Sequence, residues 1–228
     1  MRRCPNRSWD LLGRPTTEGG LGNVTALPIP PVTLAVRDGI GVLTLNAPPR
    51  NEMDNQAVDA LLEILETALP QTHLQGLIVQ GSGRHFSSGA NLPQLLDRFR
   101  TLPFATNLQM VTRLTLALQT LTEAPFPVVA AVCGCCFGSG LELALACHAR
   151  LAARNALFCA PELSLEVMPG CGATVRLPHL VGRGAALELI LSGRILSAEE
   201  ALQMHLVDAV LERSEILPSA VSLIRRWR

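Results

Sequence analysis

Apolar and polar positions alternate along VTLAVRDGIGVLTLN, residues 32–46, in two runs broken at Asp38–Gly39. Period-two alternation on either side of Asp-Gly predicts a β-hairpin. Beyond it the period lengthens. Val58, Leu61, Leu62, Leu65 and Leu69 recur at helical spacing, behind the good caps Asp54 and Asn55 and ahead of Pro70, which ends the pattern. GLIVQG, 76–81, has the apolar run of a short buried strand, and the loop GSGRHFSSGANL, 81–92, follows it. The Leu- and Arg-rich stretch 93–122 reads as helix broken by Pro103. PFPVVAAVCG, 125–134, predicts another buried strand running straight into a glycine turn, with GLELALAC as a buried helix behind it. Ser197 with Glu200 three residues on predicts a capping box ahead of EEALQMH. Strands alternating with helices imply a layered α/β fold. No internal repeat is visible in the sequence.

The chain has 228 residues, enough for one α/β domain with a single core. Positive and negative side chains balance at 19 each, which removes any long-range pull toward nucleic acid or an acidic membrane. All fixed positive charge is arginine, because lysine is absent. No apolar run reaches membrane-spanning length, so a soluble protein is expected, with no membrane partner. Seven cysteines form an odd set with no secretory leader pattern before them, which predicts free thiols in a reducing compartment, the cytoplasm. Residues 1–30 carry four arginines with Gly and Pro but no sustained period, and read as a flexible extension. An Arg-rich, acid-poor transit peptide for an organelle matrix is the alternative reading. The core domain is expected over 31–212, with a shortened C-terminal segment at 213–228.

The candidate chemistry lies at CGCCFGSGLEL, 133–143. Structural zinc wants four ligands, usually in two CxxC-type pairs. The spacing here is C-x-C-C, Cys147, Cys159 and Cys171 are scattered singly, and adjacent strand residues point to opposite faces. The cysteines therefore read as small packing residues, and no metal is expected. The glycines say more. A strand, then Gly138-Ser139-Gly140, then a helix leaves backbone N–H groups pointing outward at a helix start, with no Cβ at 138 or 140 in the way. Such a corner stabilises a developing oxyanion, at about 3 kcal/mol per donor. Taken alone, Glu142 in the first helical turn reads as a favourable helix charge, and Glu162 after a proline as a surface residue.

Several segments in order then resemble the enoyl-CoA hydratase/isomerase family, the crotonase fold. GVLTLNAPPRNEMD resembles its first strand and loop. GRHFSSGANL resembles its GRxFxAGADL, PFPVVAAVCGCCFGSGLELALACHARLA its glycine-rich strand–turn–helix, ALFCAPELSLEVMPGCGATVRLPHLVG its PE segment, and ILSAEEALQMHLVDAV its closing segment. The resemblance spans about Val32 to Leu211. It implies a stacked β-β-α superhelix with surrounding helices, related to the ClpP-like fold, and an acyl-CoA thioester substrate. It also implies a homotrimer or hexamer and no metal or redox cofactor, coenzyme A being part of the substrate.

Residue by residue, the resemblance implies that the backbone N–H groups of Ala90 and Ser139 polarise the thioester carbonyl. Ser88, Gly89, Asn91, Leu92 and Gly138 would line the substrate site. Arg50 would serve the phosphates of coenzyme A, with Arg84 as a further candidate, since the lysine often found in the family is missing. Glu142 would deprotonate a water for attack at C3 and Glu162 would protonate C2, giving a 3-hydroxyacyl-CoA from a 2-enoyl-CoA, as in fatty-acid β-oxidation. The alternatives are a related acyl-CoA enzyme (an isomerase, decarboxylase or thioester hydrolase) and a non-enzymatic subunit. Ser139 stands where the family has glycine, Asn91 where it has aspartate, Glu166 where it has glycine, and His148 where aspartate is common. Glu166 is expected to face solvent, His148 to be structural, and His85 to be an exposed loop residue. Family members usually continue with further helices closing the acyl pocket, where this chain has ERSEILPSAVSLIRRWR.

Overall fold

The computed structural model of the chain describes residues 29–227. The extension expected over 1–30 lies outside them except for its last two residues. Strands β1 (Val32–Arg37) and β2 (Ile40–Leu45) form the hairpin, closed by Asp38 and Gly39, both at positive φ. Helix α1 (Asn55–Glu63) follows, capped by the Asp54 carboxylate, which accepts from the Ala57 N–H. The chain stays helical through a π-helical turn, Ile64–Ala68, and a tighter turn, Leu69–Gln71, so Pro70 sits inside the last turn rather than ahead of it. Next come β3 (Gly76–Gly81), α2 (Leu92–Thr101) and α3 (Phe104–Thr122), the two helices separated at Pro103 as the pattern predicted.

One expectation is overturned at the glycine turn. The strand β4 covers Val128–Val132 and does not run straight into it. Gly134, at φ 56, redirects the chain into a separate strand, β5 (Cys135–Phe137), and only then does helix α4 (Ser139–Leu145) begin. A β-branched residue cannot hold that left-handed conformation without strain, which is why the chain bends there. The same β-β-turn course repeats through β6 (Ala149–Ala153), β7 (Leu157–Cys159) and a short 3-10 turn, Glu162–Leu165. The remainder is α5 (Ala173–Val181), α6 (Arg183–Ser192), β8 (Leu196–Ser197), α7 (Ala198–Gln203), β9 (Ala209–Leu211) and α8 (Arg213–Arg226). Ser197 and Glu200 form the predicted capping box on α7.

Two sheets result. The larger runs β1-β2-β3-β4-β6-β9, parallel except for the hairpin, and the smaller runs β5-β7-β8. Bridges from Met53 to Ala90 and from Ser87 to Cys136 continue the smaller sheet through the earlier loops. Successive β-β-α turns thus stack without a repeated sequence, because stacking needs matching geometry and apolar contacts, not identical residues. Strands β3, β4 and β6 are buried on both faces, as their near-continuous apolar runs require. One face of the large sheet packs on α1 and α3 through Leu61, Leu62, Leu118 and Leu121. The other is covered by α8, whose Ile216, Ala220 and Ile224 pack on Ile78, Val129 and Leu151. The C-terminal segment at 213–226 is therefore a layer of the fold itself.

Candidate active site

Three successive turns of the superhelix meet at one corner. The first is organised by Asn51, which is left-handed and only 1% exposed. Its Nδ2 donates to the carbonyl oxygens of Ser82 (2.9 Å), His85 (2.8 Å) and Phe86 (3.2 Å), and its Oδ1 accepts from the Ala47 N–H (3.0 Å). One side chain thereby holds the loop 82–90 against the loop that follows β2. Ser87 adds to the clamp: its Oγ donates to the Asn51 carbonyl (2.7 Å) and accepts from the Gly89 N–H (3.1 Å). Met53 donates to the Gly89 carbonyl (2.8 Å), and Asn91 donates to the Met53 carbonyl (3.3 Å). These bonds use the residues on either side of Ala90. The N–H of Ala90 is therefore turned away from Met53, and Ala90 lines a cavity.

The second turn is the glycine corner. The Gly138 N–H donates to the Cys159 carbonyl (3.0 Å), and Ser139 then opens α4, so its N–H has no partner within the helix. Gly140 lets α4 approach Ser87: a Cβ there would lie 2.7 Å from the Ser87 Cβ. Cys136 points into the core and donates through sulfur to the Gly140 carbonyl, while the neighbouring Cys135 is half-buried and its N–H donates to His85 Nδ1. His85 is thus a brace between loop and strand rather than the exposed loop residue expected.

The third turn brings Glu162 over the corner. A Cβ on Gly138 would lie 3.4 Å from Glu162 Oε1, and Glu162 Oε2 is buried without a hydrogen-bond partner. The hydroxyl of Ser139 is orphaned in the same way. Burial and then the nearby Glu142 charge push the Glu162 carboxyl up to about 7. Glu142 is 3% exposed, and its Oε1 accepts from the N–H groups of Cys171 (2.7 Å) and Ala173 (3.1 Å) at the start of α5. Burial raises its carboxyl too, opposed by those two donors and by the Arg176 charge. Arg176 is itself held by the Cys171 carbonyl (2.8 Å) and Gln119 (3.1 Å).

Two cavities meet at the corner and share Ala90, Leu95 and Ser139. The first, about 390 Å³, is lined by Arg50, Ser88, Gly89, Leu92, Gly138 and Glu162 among others. The second, about 140 Å³, has an apolar body that includes Met53, Val58, Met110 and Leu114. Asn91 has two places in this corner. It borders the second cavity and caps α2, its Oδ1 accepting from the Gln94 N–H (3.1 Å) while its amide donates to Glu52 (2.6 Å). Glu142 lines neither cavity. Ser139, one turn before it on α4, and Cys171, whose N–H it accepts, both face the second, so Glu142 lies directly behind that wall.

Arg50 borders the first cavity and pairs with Glu52 (2.6 Å), whereas Arg84 is exposed and lines neither cavity. His148 braces the fold, accepting at Nδ1 from the Val128 N–H (2.9 Å) and pairing at Nε2 with the Thr122 carbonyl (3.1 Å). Glu166 is exposed and left-handed, a conformation glycine adopts freely, which accounts for the family's residue there. Burial raises the Cys147 and Cys171 thiols to about 12, far from a reactive thiolate. Sequence reasoning missed Asn51, Ser87, Cys171 and Arg176. The signal for Asn51 was present, since asparagine is among the few residues that tolerate left-handed backbone. The others depend on contacts between distant segments.

A family model described as enoyl-CoA hydratase/isomerase matches residues 35–228. The chain is 35% identical over 198 residues to the probable enoyl-CoA hydratase of Bacillus subtilis (strain 168), covering 86% of this chain and 75% of that one. It is 34% identical over 199 residues to a peroxisomal fatty acid beta-oxidation multifunctional protein of Arabidopsis thaliana, covering 86% of this chain but 26% of that protein's length. Among solved structures, an enoyl-CoA hydratase from Bacillus anthracis superposes with a TM-score of 0.77 at 29% identity, over 86% of this chain and 76% of that one.

Proposed function

Because this chain belongs to the enoyl-CoA hydratase/isomerase family, we propose that it is a hydro-lyase adding water across the 2,3 double bond of a 2-enoyl-CoA to give a 3-hydroxyacyl-CoA. The observation behind this reading is the corner itself: Glu162, with one buried carboxylate oxygen lacking a hydrogen-bond partner, lines the same cavity as Ala90 and Ser139, and Glu142 lies behind the neighbouring wall. The thioester oxygen accepts from Ala90 and Ser139, which stabilises the enolate formed when C3 is attacked. Glu142, ionised and held by two backbone donors, orients the water and takes its proton. Glu162 gives its proton to C2. Water supplies the hydrogen and the hydroxyl that are added, so the reaction needs no redox cofactor.

The first cavity suits the pantetheine and nucleotide side of the substrate, with Arg50 at its rim for a phosphate. The second suits the acyl group. A homotrimer, or a hexamer of two trimers, and a cytoplasmic or organelle-matrix setting complete the proposal. Free thiols at the six described cysteines fit either reducing compartment. Among the described residues no helix is long and apolar enough to cross a membrane.

The test is loss of the conjugated enoyl-thioester absorbance of crotonyl-CoA, with product mass. Addition of one water is expected, and Glu142→Gln or Glu162→Gln should lower kcat by about 10²–10⁴-fold with folding intact. A fully active double variant would sink the proposal. One observation favours a second reading: Glu162 alone of the two carboxylates lines a cavity. A single carboxylate can shuttle a proton between C2 and C4, which makes a double-bond isomerase. In that case the product mass would not change.

A further inference from the structure

The second cavity is apolar along most of its wall but polar at one end, where Asn55, Gln94 and Arg98 gather. Arg98 projects from α2, and its position is built rather than incidental. Its Nη1 donates to Asn55 Oδ1 (3.1 Å), at the first residue of α1, and its Nη2 to Asn107 Oδ1 (3.5 Å) on α3. Asn107 is itself buried and tied back to the carbonyls of Arg98 (3.3 Å) and Leu102 (3.3 Å). Asn55 is linked to the same wall through its N–H, which donates to Gln94 Oε1 (3.0 Å). Both oxygens that hold the guanidinium belong to neutral amides. Among the described residues no carboxylate lies within ion-pair distance of Arg98, although Arg50, Arg113, Arg154 and Arg194 each have one. A fixed, half-buried cation without a counter-charge at the end of an apolar chamber favours an anion there, and a guanidinium fits a carboxylate in a two-point geometry.

The chamber is small, about 140 Å³, which favours a short acyl group over a long chain. A methylene and a carboxylate beyond C3 fit within it. Resting on the acyl-CoA reading of this site, we propose that the preferred substrate is a short enoyl-CoA whose acyl group ends in a carboxylate, the thioester of a monounsaturated dicarboxylic acid of about five carbons, with Arg98 as its specificity-determining residue.

Binding of saturated analogues tests this without requiring turnover. Glutaryl-CoA is compared with 5-methylhexanoyl-CoA, which replaces the terminal carboxylate by an isopropyl group of the same shape, by calorimetric titration of the full chain. Glutaryl-CoA should bind at least about tenfold more tightly, Arg98→Gln should abolish that preference, and Arg98→Lys should retain part of it. Equal affinities, or tighter binding of the branched analogue to the unaltered protein, would overturn the Arg98 assignment and leave the acyl-CoA reading standing. Failure of both analogues to bind would overturn the acyl-CoA reading and this inference with it. If Arg98→Gln does not fold, the comparison on the unaltered protein and on Arg98→Lys still decides.

Discussion

Glu162 has to carry a proton to do its proposed work, and its surroundings help it to keep one. With its carboxyl at about 7, the protonated fraction falls as pH rises through neutrality, so the alkaline limb of kcat/KM should drop near pH 7. The acid limb reports Glu142 taking a proton. Stability is linked to the same shift. The native state binds this proton more tightly than the unfolded chain, whose carboxyl lies near 4.5, so the Glu162 contribution weakens as pH rises from about 4.5 to 7. Glu162→Gln, neutral at every pH, should therefore raise Tm more at pH 8 than at pH 5, and thermal melts at the two values check the sign. Gly140 sets a steric limit close by. Gly140→Ala would push a methyl to 2.7 Å from the Ser87 side chain and 3.0 Å from its carbonyl oxygen. A cost of about 1–3 kcal/mol in urea unfolding is expected, together with a lower kcat, since the Ser139 donor moves with α4.

At the scale of elements, the loop 82–90 carries one donor of the proposed oxyanion site but has little regular structure of its own. Asn51 supplies the missing order from outside it. Asn51→Ala leaves three carbonyl oxygens and the Ala47 N–H without their partner, so a loss of about 3 kcal/mol is expected. Because Ala90 then loses its fixed position, kcat should fall along with stability, and steady-state kinetics on the folded fraction separates the two effects. The hairpin, α1, the break at Pro103 and the capping box were legible because each is written in neighbouring residues. The separate strand β5 was not. Apolar residues run almost unbroken from Val128 to Phe137, and periodicity cannot mark where a buried chain leaves one sheet for another. Gly134 is the only local sign of that bend.

At the scale of the whole molecule, α8 closes the outer face of the six-stranded sheet. Gly76 in β3 marks how closely it sits, since a Cβ there would lie 2.4 Å from the Ile224 side chain. Ile224 is 3% exposed, and Ile224→Ala should cost about 3 kcal/mol in chemical denaturation, with the midpoint falling and activity per folded molecule unchanged. Equal loss of activity and stability at that site would mean that α8 does more than cover the sheet. The two cavities lie elsewhere, among the loops of the smaller sheet and α2, so the covering layer and the proposed chemistry are spatially separate.

By itself the sequence determined the α/β class, the helix and strand types, the glycine corner and, through its resemblance, the two glutamates and the residues beside them. Those features depend on local periodicity, on backbone freedom at particular glycines, and on short motifs whose parts lie close together in the chain. Only the tertiary structure decided that Asn51 clamps the loop bearing Ala90, that Glu142 lies behind the cavity wall, and that Asn91 caps a helix. It alone placed Arg98 beside the second cavity with no carboxylate in ion-pair distance among the described residues. Asn51, Glu142 and Arg98 reach partners 29 to 43 residues away in the chain, and which carboxylates are near and which are not is equally a matter of space; neither is encoded in the spacing of residues along the chain.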